Sequence, residues 1–378
     1  MKSKATEPVS IDDDKRWMRA ALLQARYALG RTSPNPPVGC VLVKDGLLVG
    51  RGRTQDGGRP HAETEAIADA GEATRGATAY VTLEPCAHYG KTPPCAEALV
   101  EAGVSRVVIA CGDPDDRVAG QGAAILSQAG ITVTEGVLQD QSASILSGYL
   151  TLRNEHRPRV TVKIASSLDG RIALHDGRSQ WITGARTRHF VHLLRSQHDA
   201  VMTAMGTVRA DNPTLTCRLS GYHGRQPLRV VAAASRYDLD PQSNLATSRD
   251  QGEVLVYVAS DDASFNPNLD VVQVTADQDG RPDLKAVLAD LGSRGIQSVM
   301  VEAGGRFVAS LLKAGLVDEL VWTRSSGLIG GDGLASLSSL GLDNLSDGRM
   351  FKRVKTQFIG DDVIEIFHRG EYVNNTGH

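Results

Sequence analysis

Pro85-Cys86-Ala87-His88-Tyr89-Gly90-Lys91-Thr92-Pro93-Pro94-Cys95, read together with His61-Ala62-Glu63, decides how this 378-residue chain folds. An apolar-periodic run after His61 predicts a helix from about His61 to Ala70, and Ala79 to Leu83 predicts a strand ending just before Pro85-Cys86. Thr92-Pro93-Pro94 then opens a second helix with Cys95 in its first turn. Zinc takes imidazole nitrogen and thiolate sulfur, and a catalytic zinc site uses three protein ligands and leaves the fourth position open. His61, Cys86 and Cys95 supply that set. The turn after a strand and the first turn of a helix both favour deprotonated sulfur, because unpaired amides and the helix dipole stabilise a thiolate. Glu63 lies two residues from His61, close enough to shuttle protons without being a ligand. H-x-E followed by P-C-x-x-C marks zinc nucleobase deaminases, with the Glu as general acid and base. Here eight residues separate the cysteines, a departure from that spacing. The same residues also admit a closed site with His88 as fourth ligand, or no metal and two buried cysteines.

Outward from this stretch, helices alternate with short strands. Met18, Ala21, Leu22, Ala25 and Leu29 follow helical spacing up to Gly30, and Val38 to Val43 and Leu47 to Gly50 flank a Lys44-Asp45-Gly46 turn, which predicts a hairpin. A strand at Arg106 to Ala110, a helix near Gly122 to Ala129 and a strand at Ile131 to Glu135 complete the first unit. Such alternation predicts an α/β fold with the sheet covered on both faces. Asn154-Glu155-His156-Arg157-Pro158 is polar and closed by proline, which suits a linker, and places one domain at residues 11–155 and a second at 156–370. In the second, strands are expected at Val160 to Ser166, Ala200 to Ala204, Leu228 to Ala234, Val254 to Val258, Ser298 to Val301 and Glu319 to Thr323. Helices are expected at Ala185 to Ser196, Leu284 to Arg294 and Phe307 to Ala314, loops at Gly221 to Gln226 and Gln242 to Gly252, and a closing hairpin over 351–368. The first ten residues and Val373 to His378 read as frayed ends.

Forty-one basic and 44 acidic residues leave a net charge of -3, which gives no electrostatic footprint for nucleic acid or an acidic membrane. With 41% hydrophobic and 22% charged residues the chain can bury real cores. Five cysteines, an odd number spread along the chain, do not make a disulfide scaffold, and no run approaches the roughly 20 apolar residues of a membrane helix. The N-terminal residues carry Asp12, Asp13 and Asp14 and no signal-like apolar run. A cytoplasmic enzyme acting on small molecules is the expectation, with no nucleic-acid or membrane partner. A tRNA or DNA base deaminase, which needs a basic patch, and a structural zinc protein are the rival readings.

The motifs resemble those of the bifunctional riboflavin-biosynthesis deaminase-reductases. Pro34-Asn35-Pro36-Pro37-Val38-Gly39, His61-Ala62-Glu63 and the whole segment from Pro85 to Cys95 are similar to that family's deaminase motifs, so the long cysteine spacing is the family's own. Asp113-Pro114 and Val118-Ala119-Gly120-Gln121-Gly122 follow in the order in which such proteins line the deaminase pocket, and Ser33 stands where many members have histidine. Lys163 to Arg171, Ser179-Gln180-Trp181-Ile182-Thr183, Gly206-Thr207-Val208, Ala210-Asp211-Asn212-Pro213 and Val301-Glu302-Ala303-Gly304-Gly305 look like the motifs of its reductase domain. The resemblance implies a cytidine-deaminase-like α/β/α domain followed by a dihydrofolate-reductase-like α/β domain, with Zn2+ and NADPH as cofactors, in a homo-oligomer. The implied reactions are hydrolytic deamination of 2,5-diamino-6-(5-phosphoribosylamino)pyrimidin-4-one and then reduction of its ribosyl unit to a ribityl chain.

Taken alone, the second half says less. Val299 to Val301 is an apolar strand leading through Glu302-Ala303-Gly304-Gly305 into a helix, where glycines let amides approach a phosphate, although this is not G-x-G-x-x-G. Such a turn is commonly just a tight connection; the resemblance makes Gly304, Gly305, Arg306, Phe307, Val308, Ala309 and Ser310 a nicotinamide-dinucleotide site, joined by Ala165, Trp181, Thr207 and Asp211. It also implies substrate contacts at Asn35, Ser179, Leu215 and Glu302. Arg195 and Arg218 carry the guanidinium geometry for a substrate phosphate, or are solvated surface arginines. Trp181 lines the cofactor pocket or fills core. Lys163 and Asp211 are the candidates for the acid of the reductive step, and Met205 and Arg209 depart from the usual residues around Gly206-Thr207-Val208.

Overall fold

The first unit begins with α1 (Ile11–Ala28), whose acidic residues Asp12, Asp13 and Asp14 crowd the first turn, where the helix dipole favours them. The computed structural model describes residues 11–90, 92–115, 117–233, 240–259, 270–344, 348 and 351–370, so the expected frayed ends lie outside the described residues. Strands β1 (Gly39–Lys44) and β2 (Leu47–Arg53) form the expected hairpin. Its two-residue turn puts Asp45 and Gly46 at φ 51° and 73°, the left-handed pair that matches the twist of the flanking strands. There follow α2 (Ala62–Ala70), β3 (Thr78–Leu83), α3 (Cys95–Glu101), β4 (Arg106–Cys111), α4 (Gln121–Gln128) and β5 (Thr132–Glu135). Two helices that the sequence reading did not foresee, α5 (Gln139–Ile145) and α6 (Ser147–Glu155), close the unit.

The sheet runs β2-β1-β3-β4-β5, with β1 antiparallel to both neighbours and β3, β4 and β5 parallel. Side chains alternate across it. Val41 and Val43 of β1 join Met18, Ala21, Leu22 and Ala25 of α1 and Ile145 of α5 on one face. Cys40 and Leu42 join Ala62, Ala66, Ala96, Leu99 and Leu126 of α2, α3 and α4 on the other, so the unit is an α/β/α sandwich. Helices lie directly on strand backbone where glycine permits it: a Cβ on Gly39 would stand 2.0 Å from the Ala21 carbonyl, and one on Gly52 2.1 Å from that of Ala62. Asp14 of α1 is tied to β4 by two hydrogen bonds of 2.7 Å from Arg106 and to β3 by the Tyr80 hydroxyl.

A second compact unit starts at Arg157, the first ending at His156. Its elements are β6 (Arg159–Ser166), β7 (Arg171–Ala173), α7 (Ala185–Ser196), β8 (Ala200–Ala204), α8 (Met205–Asp211), β9 (Leu228–Ala232), α9 (Asn244–Thr247), β10 (Val254–Val258), β11 (Asp270–Gln273) and α10 (Leu284–Ser293). They continue with β12 (Ser298–Val301), α11 (Gly305–Lys313), β13 (Glu319–Arg324), β14 (Leu334–Ala335), β15 (Phe351–Ile359) and β16 (Asp362–Arg369). Among the described residues one sheet runs β11-β10-β9-β8-β12-β6-β13-β16-β15, parallel up to β13 and antiparallel beyond it, and β7 pairs with β14 apart. Its two faces carry separate cores, one under α10 and α11 and one under α7, α8 and α9. The segment read as a loop from Gln242 to Gly252 holds α9, which Ser243 starts by accepting the Ala246 amide through its hydroxyl. The last residue expected in β9, Ala234, lies outside the described residues.

Gly52→Ala forces α2 off the hairpin, and overpacking of this kind costs roughly 1–3 kcal/mol. Thermal melts of the full chain are expected to show it as a clear loss of Tm, whereas Gly331→Ala, whose Cβ meets nothing within 4 Å, should melt with the wild type.

A candidate zinc centre and a candidate nucleotide site

His61 is the residue that caps α2, and its extended backbone (φ -74°, ψ 162°) turns the chain out of the loop while its side chain makes no capping bond. The imidazole is therefore free to serve elsewhere. Cys86 follows β3, and Cys95 is the first residue of α3. The Nδ1 of His61 stands 3.3 Å from Cys95 Sγ and 3.7 Å from Cys86 Sγ, and the three ligand atoms lie within 4.8 Å of one another. Zinc–nitrogen and zinc–sulfur bonds at tetrahedral angles set an N···S separation of about 3.6 Å, which these two distances bracket. The donor set therefore fits zinc. His88 is not part of this ligand cluster, so the closed four-ligand arrangement is not formed among the described residues.

In the absence of a metal the two sulfurs differ. Hydrogen bonds from the Cys95 thiol, from His61 and from the Cys95 amide (3.2 Å) bring Cys86 down to about 4. That same bond to Cys86, together with burial, pushes Cys95 well up. Without a metal the two sulfurs share a proton, and metal binding releases it. His61 is raised mainly by its bond to Cys86. Glu63, 4% exposed on the first turn of α2, is pushed up to about 7 by burial, a value suited to taking and giving a proton near neutrality.

One pocket is lined by His61, Glu63 and Cys86, by Asn35 and His88, and by residues that the sequence reading had not assigned, among them Glu84, Asp115, Tyr149 and Arg153. Asn35 donates to the Gly58 carbonyl at 2.7 Å and stands 3.2 Å from His61 Nε2. Asp113, expected here with Val118, accepts the Tyr149 hydroxyl at 2.9 Å, and burial pushes its carboxyl up to about 6. Arg117 and Arg153 both pair with Asp115. Tyr149 and Arg153 come from α6; their spacing of four residues puts both on one helix face, a signal that the polar run before it concealed.

In the second unit the structure sorts the candidates. Thr207 accepts the Gly304 amide at 3.2 Å, and Ser179 donates to Asp211 at 3.1 Å, so these two pairs are brought together. A Cβ on Gly304 would meet nothing within 4 Å, leaving open space at the start of α11, whereas one on Gly305 would be 2.8 Å from the Ala335 carbonyl. Gly305 is thus explained by packing, and Gly304 is free to face a ligand. Val308, Ala309 and Leu215 are buried in the core. Arg306 is exposed, Phe307 and Ala165 are half-buried, and Ser310 donates to the Arg306 carbonyl. Trp181 does not fill core: it is 69% exposed and stacks under Arg188, 4.3 Å from the ring centroid.

Arg195 is not a solvated surface arginine, its side chain being 11% exposed. Its Nε and Nη2 donate to the two Glu302 oxygens at 2.6 and 3.1 Å, and Nη1 donates to the Thr216 carbonyl. Arg218 is exposed, with its amide donating to His192 Nδ1. Burial alone pushes Glu302 up, but Arg195, Lys163 and His192 reverse this and hold it at about 2. Burial lowers Lys163 and, with Arg195 and Arg218 nearby, brings His192 to about 4. No helix among the described residues is long and apolar enough to cross a membrane.

Two family models match this chain. Residues 11–111 match the cytidine and deoxycytidylate deaminase zinc-binding region, and residues 158–364 match the RibD C-terminal domain. Fold and site thus define a two-unit enzyme class, a zinc-binding deaminase unit followed by a reductase unit. The riboflavin biosynthesis protein RibD of Escherichia coli is 40% identical over 93% of this chain and 98% of its own length, and that of Haemophilus influenzae is 39% identical over 92% and 95%. A solved RibD of Acinetobacter baumannii superposes with TM-score 0.85 at 37% identity, over 96% of this chain and 100% of that one. A diaminohydroxyphosphoribosylaminopyrimidine deaminase/5-amino-6-(5-phosphoribosylamino)uracil reductase of Thermotoga maritima gives 0.84 at 35%, over 95% and 99%. The chain belongs to the RibD family.

Two outcomes are expected from this geometry. Cys86→Ser should lose zinc in a metal assay, while Glu63→Gln keeps about one per chain, because Glu63 is outside the ligand set. Glu302 has a depressed carboxyl, so its stabilising contribution is full above its ordinary 4.5 and is lost as pH falls from there through about 2. Urea melts between pH 5 and 2 should show this slope, and Arg195→Met should flatten it.

Proposed function

We propose that this chain catalyses two consecutive steps of riboflavin biosynthesis: residues 11–155 deaminate 2,5-diamino-6-(5-phosphoribosylamino)pyrimidin-4-one, and residues 156–370 reduce the ribosyl unit of the resulting aminouracil with NADPH. The observation that carries the reading is Glu63, a buried carboxyl poised near 7 beside His61, Cys86 and Cys95. Zinc held by those three side chains lowers the pKa of water. Glu63 takes a proton from the attacking water and delivers it to the leaving nitrogen as the ring carbon–nitrogen bond breaks and ammonia departs. Asn35, beside His61, faces the same pocket, and Asp113 offers a polar wall to the pyrimidine.

In the reductive step NADPH supplies the hydride, and the protein orients it. Gly304, the amides that begin α11, Thr207, Asp211, Ala165 and the exposed Trp181 support the cofactor reading; Ser179, Arg218, Glu302 and Leu215 support the substrate reading. Hydride reaches the sugar carbon that bears nitrogen, the ring carbon–oxygen bond breaks, and the freed oxygen takes a proton. Lys163, whose ammonium burial makes more acidic, is the donor best placed by charge, with Glu302 nearby as its counter-ion. Arg195 holds Glu302, and its remaining N–H groups support the substrate reading. A cytoplasmic enzyme acting on small molecules accords with the charge balance, and a homo-oligomer accords with the edge strand β15, which leaves Phe358 76% exposed.

Deamination comes first in this reading, because changing amino to carbonyl replaces a donor by an acceptor, and a site built for one rejects the other by up to about 10⁴-fold. Glu63→Gln given the diamino compound should release ammonia roughly 10²–10⁴-fold more slowly and oxidise almost no NADPH. Given the deaminated compound it should oxidise NADPH at the wild-type rate. Fast NADPH oxidation by this variant on the diamino compound reverses the order, and none by the wild type on either compound removes the reductase assignment.

A further inference from the structure

We infer that Glu84 is a positioning residue of the deaminase site, a buried anion that fixes the pocket wall at a set distance from the zinc ligands. Glu84 follows the last residue of β3 and precedes Pro85-Cys86. It is 6% exposed, and among the described residues no cationic side chain pairs with it. Three backbone amides compensate its charge. Oε2 accepts from Gly120 at 3.1 Å and from Asp113 at 3.4 Å, and Oε1 accepts from Ala123 at 3.2 Å.

These three amides belong to the two ends of the 113–120 segment and to the first turn of α4, where unsatisfied amides and the helix dipole favour an anion. The packing beside them is just as close. A Cβ on Gly122 would stand 2.1 Å from the Pro85 carbonyl and 3.2 Å from Glu84, so α4 begins directly on the backbone that leads into Cys86. One carboxylate therefore ties the ligand-bearing turn to the segment that carries Asp113, Asp115 and Val118 into the pocket. Glu63, His61 and Cys95 stand on α2 and α3 and do not depend on this tie. Loosening it should move the wall that binds the substrate while leaving the reacting groups in place, which predicts an effect on binding rather than on the chemical step.

Glutamine tests this at nearly constant volume. Its amide has one acceptor oxygen and one donor nitrogen, so in either orientation at least one of the three N–H groups faces a donor. This inference rests on the deaminase reading, and ammonia release by the wild-type chain from the diamino pyrimidine tests that reading first. With that activity present, Glu84→Gln should bind about one zinc per chain and oxidise NADPH normally on the deaminated compound. For ammonia release its KM should rise about tenfold or more, with kcat within about threefold of wild type. Hydrogen exchange should speed up at the Gly120 and Ala123 amides and not in α2. Unchanged KM, or loss of zinc together with kcat, overturns the assignment. If Glu84→Gln does not accumulate as folded protein, Glu84→Asp carries the same test. It keeps the charge one methylene short, so its KM should rise in the same direction, with zinc and kcat retained, and an unaltered KM overturns the assignment equally.

Discussion

Two helix starts must point at one spot for the first unit to exist as a site. His61 ends the loop before α2 and Cys95 begins α3, and both helices pack on the same face of the sheet as α4. Their approach is limited by backbone contact rather than by side chains, as the 2.1 Å that a Cβ on Gly52 would leave to the Ala62 carbonyl shows. Larger residues there would lift α2 and carry His61 and Glu63 away from the cysteines. Close packing thus sets ligand geometry to within the tolerance of a metal–ligand bond, and the electrostatics follow. Without a metal, hydrogen bonds draw Cys86 down to about 4, the bond to Cys86 and burial push Cys95 up, and burial brings Glu63 to about 7.

The second unit solves a different problem with charge. Arg195 and Glu302, 11% and 15% exposed, come from α7 and from the end of β12, over 100 residues apart in sequence. Pairs taken out of water gain little net stability over apolar substitutes, but removing one partner leaves a buried charge and is strongly destabilising. Such a pair is therefore better understood as fixing a position than as adding stability. Here it holds a carboxylate ionised beside Lys163, whose own charge burial disfavours.

Most of the architecture was legible because hydrophobic periodicity is local: the hairpin, the helix after His61 and the strands around it stand where their patterns put them. The three ligands were legible for the same reason, each lying at a predicted element boundary. What the sequence hid was the side chain whose role is set by a distant partner. Arg195 reads as a phosphate ligand or a solvated arginine, and nothing within α7 signals its pairing with Glu302. Leu215, Val308 and Ala309 carry family positions but bury their side chains, since a motif records which backbone approaches a ligand as readily as which side chain does. In α5 and α6 the pattern Ile145, Leu146, Tyr149, Leu150 was present, yet the polar run from Gln139 to Ser144 masked it. Missing α6 meant missing Tyr149 and Arg153 in the pocket wall.

Each unit settles its buried charges within its own sheet and faces. In the first unit Glu63 is 4% exposed, and burial pushes its carboxyl up to about 7 beside three side chains that could hold a metal ion. In the second unit the balance falls the other way: burial alone would raise Glu302, but Arg195 against it overrides this and holds it at about 2. Lys163 beside them is partly exposed, and the Arg195 and Glu302 side chains are 11% and 15% exposed, so their charges are balanced chiefly against one another. A carboxyl kept protonatable by burial and a carboxylate kept ionised by a cation are opposite settings, and each needs its own surroundings.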